Sequence, residues 1–175
     1  MNVKNLVILV DENDNEIGYL DKLQAHQKGV LHRAFSILIF NSKGEFILQK
    51  RAANKYHSAG LWSNTCCSHP KPNETMVDAV QRRLKEEMGI ECETNFAYKF
   101  KYQTDLDNDL IEHELDYVFV GVCDDRPAIN ALEVAECKFI SLAEIRKDLI
   151  KNPEAYTFWF KEIINHPELA DYIPA

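Results

Sequence analysis

Three short stretches of the 175-residue chain concentrate side chains that ligate metals or move protons. They are "NTCCSHP" (Asn64–Pro70), "IEHEL" (Ile111–Leu115) and "RRLKEEMGI" (Arg82–Ile90). Cys66 and Cys67 are adjacent, and neighbouring cysteines do not reach relaxed disulfide geometry without straining the peptide between them. Metal ligation together with His69, nucleophilic catalysis, proton transfer or plain packing remain open for that loop. Glu112 and Glu114 stand two apart, so in a strand they share one face and His113 points away. In the third stretch Arg82–Glu86 and Arg83–Glu87 are i, i+4 pairs. They describe either a solvated face, worth roughly 0.2–0.5 kcal/mol per pair, or carboxylates offered to a hard cation that holds phosphate oxygens.

The elements that must position these groups follow from periodicity. "LVILV" and "EIGYLDK" flank the turn-rich "DENDN" and predict a hairpin. "HRAFSILIF" and "EFILQKRA" flank "NSKG" and predict a second one. A loop is expected from Asn54 to about Pro72, containing the cysteine pair. The spacing of Val77, Val80, Leu84 and Met88 predicts a helix over Glu74–Met88, capped by Asn73 and ended by Gly89. "FAYKFKYQT", "LIEHELDYVFVGV" and "CKFIS" are strands. Ser141 with Glu144 forms a capping box for "LAEIRKDLI", and Asn152-Pro153 opens a final helix carrying "AYTFWFKEII". Strands outnumber helices and mostly pair with neighbours, which gives an α+β, mixed-sheet α/β sandwich of one domain over residues 1–175.

Composition narrows the function classes. Apolar content of 46% and charged content of 27% suit a soluble globular chain. No run of about 18 apolar residues offers a membrane span, and acids occupy the place of a signal peptide's apolar core. Five cysteines at irregular spacing suit a reducing compartment, so a cytoplasmic location is expected. The net charge of −8 argues against diffuse nucleic-acid binding. An anionic small substrate would need a local basic cluster or a metal ion.

The helix and the segment before it match a longer pattern. Ser68, Glu74, Arg82, Arg83, Leu84, Glu86, Glu87, Gly89 and Ile90 stand in the register G-x5-E-x7-R-E-U-x-E-E-x-G-U, with U apolar. This resembles the Nudix box, with Ser68 in place of the leading glycine and Arg83 in place of the first central glutamate. The second departure removes a metal ligand and adds a diphosphate-binding charge, which disfavours hydrolysis. Together with "LHRAFS", "NTCCSHP", "FKYQTD", "IEHELDY" and "FWF", the chain resembles the type I isopentenyl diphosphate isomerase family over roughly residues 5 to 165.

That resemblance implies a Nudix fold and the interconversion of isopentenyl and dimethylallyl diphosphate, by protonation and deprotonation through a carbocation-like intermediate. It implies Cys67 and Glu114 as the acid–base pair on opposite faces of the substrate, with Tyr102 and Trp159 near the reacting carbons. An indole face attracts a desolvated cation by about 2 kcal/mol. His26, His32, His69, Glu112 and Glu114 are implied as ligands of one manganese (Mn2+) or zinc (Zn2+) ion. Glu87 is implied as ligand of a magnesium (Mg2+) ion that meets the diphosphate. Lys22, Ser36, Arg51, Lys55 and Arg83 would hold the diphosphate itself. No flavin, nucleic-acid or membrane partner is expected, and a monomer is. His57 and His166 have no support from the pattern. The competing possibilities are a Nudix pyrophosphohydrolase and a catalytically silent diphosphate-binding module.

Overall fold

The computed structural model describes residues 5–174. Nine strands form one mixed sheet: β1 (Leu6–Val10), β2 (Glu16–Asp21), β3 (His32–Phe40), β4 (Phe46–Arg51), β5 (Trp62–Ser63), β6 (Cys66–Ser68), β7 (Asn95–Asp105), β8 (Ile111–Val122) and β9 (Val134–Ile140). The α-helices are α1 (Lys22–Lys28), α2 (Met76–Met88), α3 (Leu142–Lys151) and α4 (Phe158–Asn165).

Strand β3 is the hub. It runs parallel to β8 from His32↔Glu114 to Phe40↔Val122, and antiparallel to β6 through Phe35↔Ser68, Ser36↔Cys67 and Ile37↔Cys66. Because side chains alternate along a strand, β3 feeds two cores. Phe35, Ile37 and Ile39 pack with Val80, Leu84 and Met88 of α2. Leu38 and Phe40 pack with Ile145 of α3 and with Trp159, Phe160 and Ile163 of α4. The sheet is therefore covered on both faces, as an α/β sandwich requires. Among the described residues no helix is long and apolar enough to cross a membrane.

Several predicted elements form as expected. β1 and β2 are an antiparallel hairpin, β7 and β8 another, and both arms of the Ser141–Glu144 capping box are made. Gly89 ends α2 in the left-handed conformation, φ 63°.

Others are corrected. The cysteine pair lies in a strand, β6, rather than a loop, because Cys66–Ser68 add to the edge of β3. Lys22 belongs to a helix and not to the second strand, because the Asp21 side chain accepts from the Leu23 and Gln24 amides and caps α1. The β3–β4 hairpin closes at one pair, Phe40↔Phe46, after which β4 diverges to pair with β5 and β9. Thr75, not Asn73, caps α2, its hydroxyl accepting from the Asp78 amide at 3.1 Å. Val77 is exposed, and the inward face is carried by Ala79, Val80, Leu84 and Met88. Pro153 opens only a single 3-10 turn, Pro153–Ala155. The chain then extends through Tyr156 and Thr157, whose amide donates to Trp62 O at 2.9 Å, and α4 starts at Phe158.

Candidate active site

The carboxylates come from one strand face. On β8 the buried residues alternate, so Glu112, Glu114 and Asp116 form an inward row and His113 points away, its Nδ1 bonding Gly29 O at 3.0 Å. The parallel register sets His32 beside Glu114, with Nε2 3.4 Å from Oε1. Tyr102 is the opposite partner of Glu114 on β7 and donates its hydroxyl to Oε2 at 2.7 Å. His69 follows β6 and reaches Glu114 Oε1 through Nε2 at 2.8 Å. Helix α1 supplies His26, whose Nε2 is 3.2 Å from Glu112 Oε2.

Backbone contacts fix how these rings present themselves. His26 Nδ1 is 2.6 Å from Lys22 O and His32 Nδ1 is 2.8 Å from Val30 O. A carbonyl only accepts, so each Nδ1 carries a proton, and in the neutral ring Nε2 is the atom left with the lone pair. Both Nε2 atoms are buried without a hydrogen-bond partner, and so is Glu112 Oε2. Buried lone pairs facing carboxylate oxygens are costly unless a cation lies between them. Donor atoms of His26, His32, His69 and Glu114 all lie within 4.8 Å of one another. The set fits a divalent metal ion, and the Nδ1 hydrogen bonds are the outer contacts that orient metal-ligating imidazoles.

Burial controls the protonation of these groups. It pushes His26 down, and His69 down to about 3 against the pull of Glu114, so both rings are neutral donors at neutral pH. Burial and the adjacent Glu114 raise Glu112 well above the carboxylate range. Burial also works to raise Glu114, but the His32 and His69 rings beside its Oε1 outweigh it and hold that carboxylate low.

Cys67 enters from the other side. Strand alternation sends Cys66 into the core under α2, while Cys67 packs toward Trp159. Burial pushes the Cys67 thiol up to about 12, with the Arg51 guanidinium opposing; Arg51 Nη1 lies 3.8 Å from Sγ. The same guanidinium sits 5.2 Å from the Trp159 ring, whose Nε1 donates to Ser63 Oγ at 2.9 Å. Cys67, Glu112, Glu114, Tyr102, Trp159 and Arg51 all line one small chamber of about 60 Å³. A wider depression of about 510 Å³ shares its Lys22, Lys55, Arg83 and His69 walls and adds Lys71 and Arg82. This is the local basic cluster that a chain of net charge −8 needs to attract an anion.

The chain matches the NUDIX domain model over residues 30–160. It is 54% identical over 157 residues to isopentenyl-diphosphate Delta-isomerase 2 of Aromatoleum aromaticum, covering 90% of this chain and 83% of that one. It is 51% identical over 160 residues to isopentenyl-diphosphate Delta-isomerase 2 of Photorhabdus laumondii, covering 91% and 90%. The chain belongs to the isopentenyl-diphosphate Delta-isomerases of the Nudix family. Solved structures agree on the fold: a Deinococcus radiodurans protein, DR0079, superposes with TM-score 0.76 at 16% identity, covering 91% of this chain and 96% of that one. The MutT protein of Methanosarcina mazei superposes with TM-score 0.64 at 24% identity, covering 77% and 90%.

Within this isomerase fold the structure gathers most of the sequence-predicted residues, but Glu112 groups with His26 and His57 and falls outside the His26, His32, His69 and Glu114 donor set. Ser36 does not reach the chamber wall; it is buried and donates to Asp116 Oδ2 at 2.8 Å. Glu87 is buried, accepting from Gln49 Nε2 at 2.8 Å and from Arg83. Arg83 also meets Glu86 at 2.8 Å and Glu133 at 3.4 Å, and Lys55 pairs with Glu133 as well. Lys22 lies 5.1 Å from the Tyr56 ring, its pKa lowered by burial and by Arg51 and Lys55.

Sequence reasoning missed Asp116, Glu133 and His57. Asp116 was detectable, because it continues the i, i+2 row of Glu112 and Glu114. Glu133 precedes β9 in a stretch with no motif, and His57 sits in a loop without periodicity.

Proposed function

We propose that the chain interconverts isopentenyl and dimethylallyl diphosphate, with Cys67 and Glu114 as the proton-transfer pair. The observation that carries this is the shared chamber: a thiol and a carboxylate line one small cavity with an indole, and that cavity shares walls with a basic vestibule.

Moving an unactivated double bond by one carbon needs a proton delivered to the alkene and another removed from the allylic carbon. In the resting chain the Cys67 thiol keeps its proton, and Arg51 beside Sγ stabilises the thiolate when that proton leaves. Glu114 is held by the Tyr102 hydroxyl on Oε2, so its proton-carrying oxygen has a fixed direction. The reaction is reversible, so each group serves as acid in one direction and base in the other. Trp159 offers a π face to the developing cation and no nucleophilic atom to trap it. Substrate filling the small chamber would displace the water that could trap it.

Lys22, Arg51, Lys55 and Arg83 hold the diphosphate by their positive charge; Ser36 acts through Asp116 and not by contact. His26, His32, His69, Glu112 and Glu114 suit zinc or manganese, whereas Glu87, an all-oxygen ligand beside the basic vestibule, suits a magnesium ion that arrives with the diphosphate. When bound, the metal ions supply positive charge that organises the carboxylates and neutralises the phosphates. Arg83 and the Cys67–Glu114 pair separate this function from pyrophosphohydrolysis.

Incubation with isopentenyl diphosphate and magnesium in heavy water, followed by NMR, tests it. Deuterated dimethylallyl diphosphate without phosphate release is the expected result. Released phosphate would establish a hydrolase, and an unchanged bound substrate a silent module.

A further inference from the structure

Four histidines meet in space at this site, although the sequence motifs supply only three. The fourth, His57, is buried on the loop between β4 and β5. Its placement is enforced from outside the loop. Three consecutive carbonyls are held by side chains: Tyr56 O accepts from Asn108 Nδ2 at 3.1 Å, His57 O from Arg51 Nη2 at 3.2 Å, and Ser58 O from Arg51 Nε at 3.2 Å. Ser58 takes a left-handed conformation, φ 49°, which a residue with a Cβ adopts rarely and which tight packing must impose. With this backbone fixed, the ring itself meets Ser58 Oγ through Nδ1 at 3.3 Å, and such support from surrounding groups is how ligands of a site are preorganised.

The ring faces the carboxylate row. His57 Nε2 is 3.5 Å from Glu112 Oε1, and the ring stacks on His26 with centroids 5.5 Å apart and 28° between planes. One donor atom each from His26, His57 and Glu112 lie within 4.8 Å of one another, and all three residues are buried. Two of those residues also have orphaned atoms: His26 Nε2 and Glu112 Oε2 are buried without a hydrogen-bond partner. They face each other at 3.2 Å. With His26 Nδ1 committed to Lys22 O, the space between them is bounded by lone pairs and calls for a cation.

We propose that His57 is a metal ligand, and that with His26 and Glu112 it builds a second seat beside the one formed by His26, His32, His69 and Glu114. The inference rests on the metal assignment of the His/Glu cluster made above and extends it by one residue and one position. His26 Nε2 has a single lone pair, so the two seats are alternatives that hold one ion between them. A seat of two imidazoles and one carboxylate leaves coordination positions open and favours zinc or cobalt over magnesium. His57 also meets Trp159 edge-on at 6.0 Å, so the second seat lies on the side of the chamber nearest the indole.

The test uses the metal-free chain titrated with Co2+, reading affinity by chelator competition and the visible absorption of the bound ion. Wild type is compared with His57→Ala, with His57→Gln, which keeps the side-chain volume if the alanine variant fails to fold, and with His32→Ala. Deleting one of two alternative seats lowers affinity only by that seat's share of the bound ion, so with the four-donor seat intact both His57 variants are expected to lose at most about twofold in affinity and to shift the Co2+ bands. Added imidazole should restore the wild-type bands in His57→Ala by filling the vacated space. If both His57 variants keep wild-type affinity and spectrum while His32→Ala loses them, the second seat is refuted and the four-donor site stands. If His32→Ala also matches wild type, the metal assignment falls together with this inference.

Discussion

His32 and Glu114 are direct register partners in the parallel β3–β8 ladder, and that pairing builds the site into the centre of the sheet. A one-residue slip would turn the whole carboxylate row to the other face. Loops contribute Arg51-held His57 and the approach to His69, but the Glu112–Glu114–Asp116 row and His32 are as rigid as the core they adjoin.

Metal binding should therefore be read directly as stability. Free zinc at a hundredfold over its Kd stabilises a single-site protein by about 2.7 kcal/mol. Thermal unfolding with zinc and with chelator should show that gap in wild type and lose most of it in His32→Ala. Equal midpoints for loaded and chelated wild type would contradict the site.

Two acids hold the β1–β2 turn: Asp11 accepts from the Asn13 and Asn15 amides within it, and Asp14 ties it to the neighbouring strands. Asp14, in the left-handed region at φ 67°, accepts from Arg33 Nε at 2.9 Å, Lys99 Nζ at 2.9 Å and the Tyr117 hydroxyl. Burial works against its ionisation, but those three donors win and hold its pKa below 3.8. A depressed folded pKa gives stability that is present above the unfolded value and lost as pH falls through the folded one. Asp14→Asn should cost about 1–2 kcal/mol at pH 7, an amount discounted for the exposed Lys99. The difference between variant and wild type should shrink in urea titrations below pH 3.8. A constant difference at all pH values would show that the charge is not the cause.

Cys67 should react as a thiol with a high pKa. Below its pKa the thiolate fraction grows about tenfold per pH unit. With the thiol raised to about 12, iodoacetamide labelling of Cys67, followed by mass spectrometry, should climb without a plateau from pH 7 to pH 9. A plateau in that interval would mean that Arg51 outweighs burial.

Trp159→Phe removes the indole face and its bond to Ser63 while keeping an aromatic ring. Loss of about 2 kcal/mol of cation stabilisation corresponds to roughly thirtyfold in kcat. Steady-state kinetics should show that drop in kcat, beyond any KM change passed on through Arg51, whose guanidinium lies 5.2 Å from the ring. A change confined to KM would assign Trp159 to binding.

Much of this was legible in the sequence, for physical reasons that differ by residue. Alternation on β8 revealed the Glu112–Glu114 face, and fixed spacing revealed the α2 helix with Glu87 and Arg83. Local signals decided the Ser141–Glu144 cap and the Gly89 stop. What stayed hidden depends on contacts distant in sequence. The strand state of Cys66–Ser68 comes from pairing with β3, the late start of α4 from the Thr157–Trp62 bond, and the burial of Ser36 from Asp116, 80 residues away. His57 stayed hidden because the loop backbone that carries it is held by Arg51 and Asn108, and Asn108 is distant in sequence.

The central claim is that Cys67 exchanges a substrate proton. Cys67 is not among the metal donors, so Cys67→Ala should bind metal and diphosphate like wild type. In heavy water with isopentenyl diphosphate, NMR of the products gives the decisive comparison. The account predicts deuterated dimethylallyl diphosphate from wild type and none from Cys67→Ala at equal substrate occupancy. Deuterated product from Cys67→Ala at a rate near wild type would contradict it.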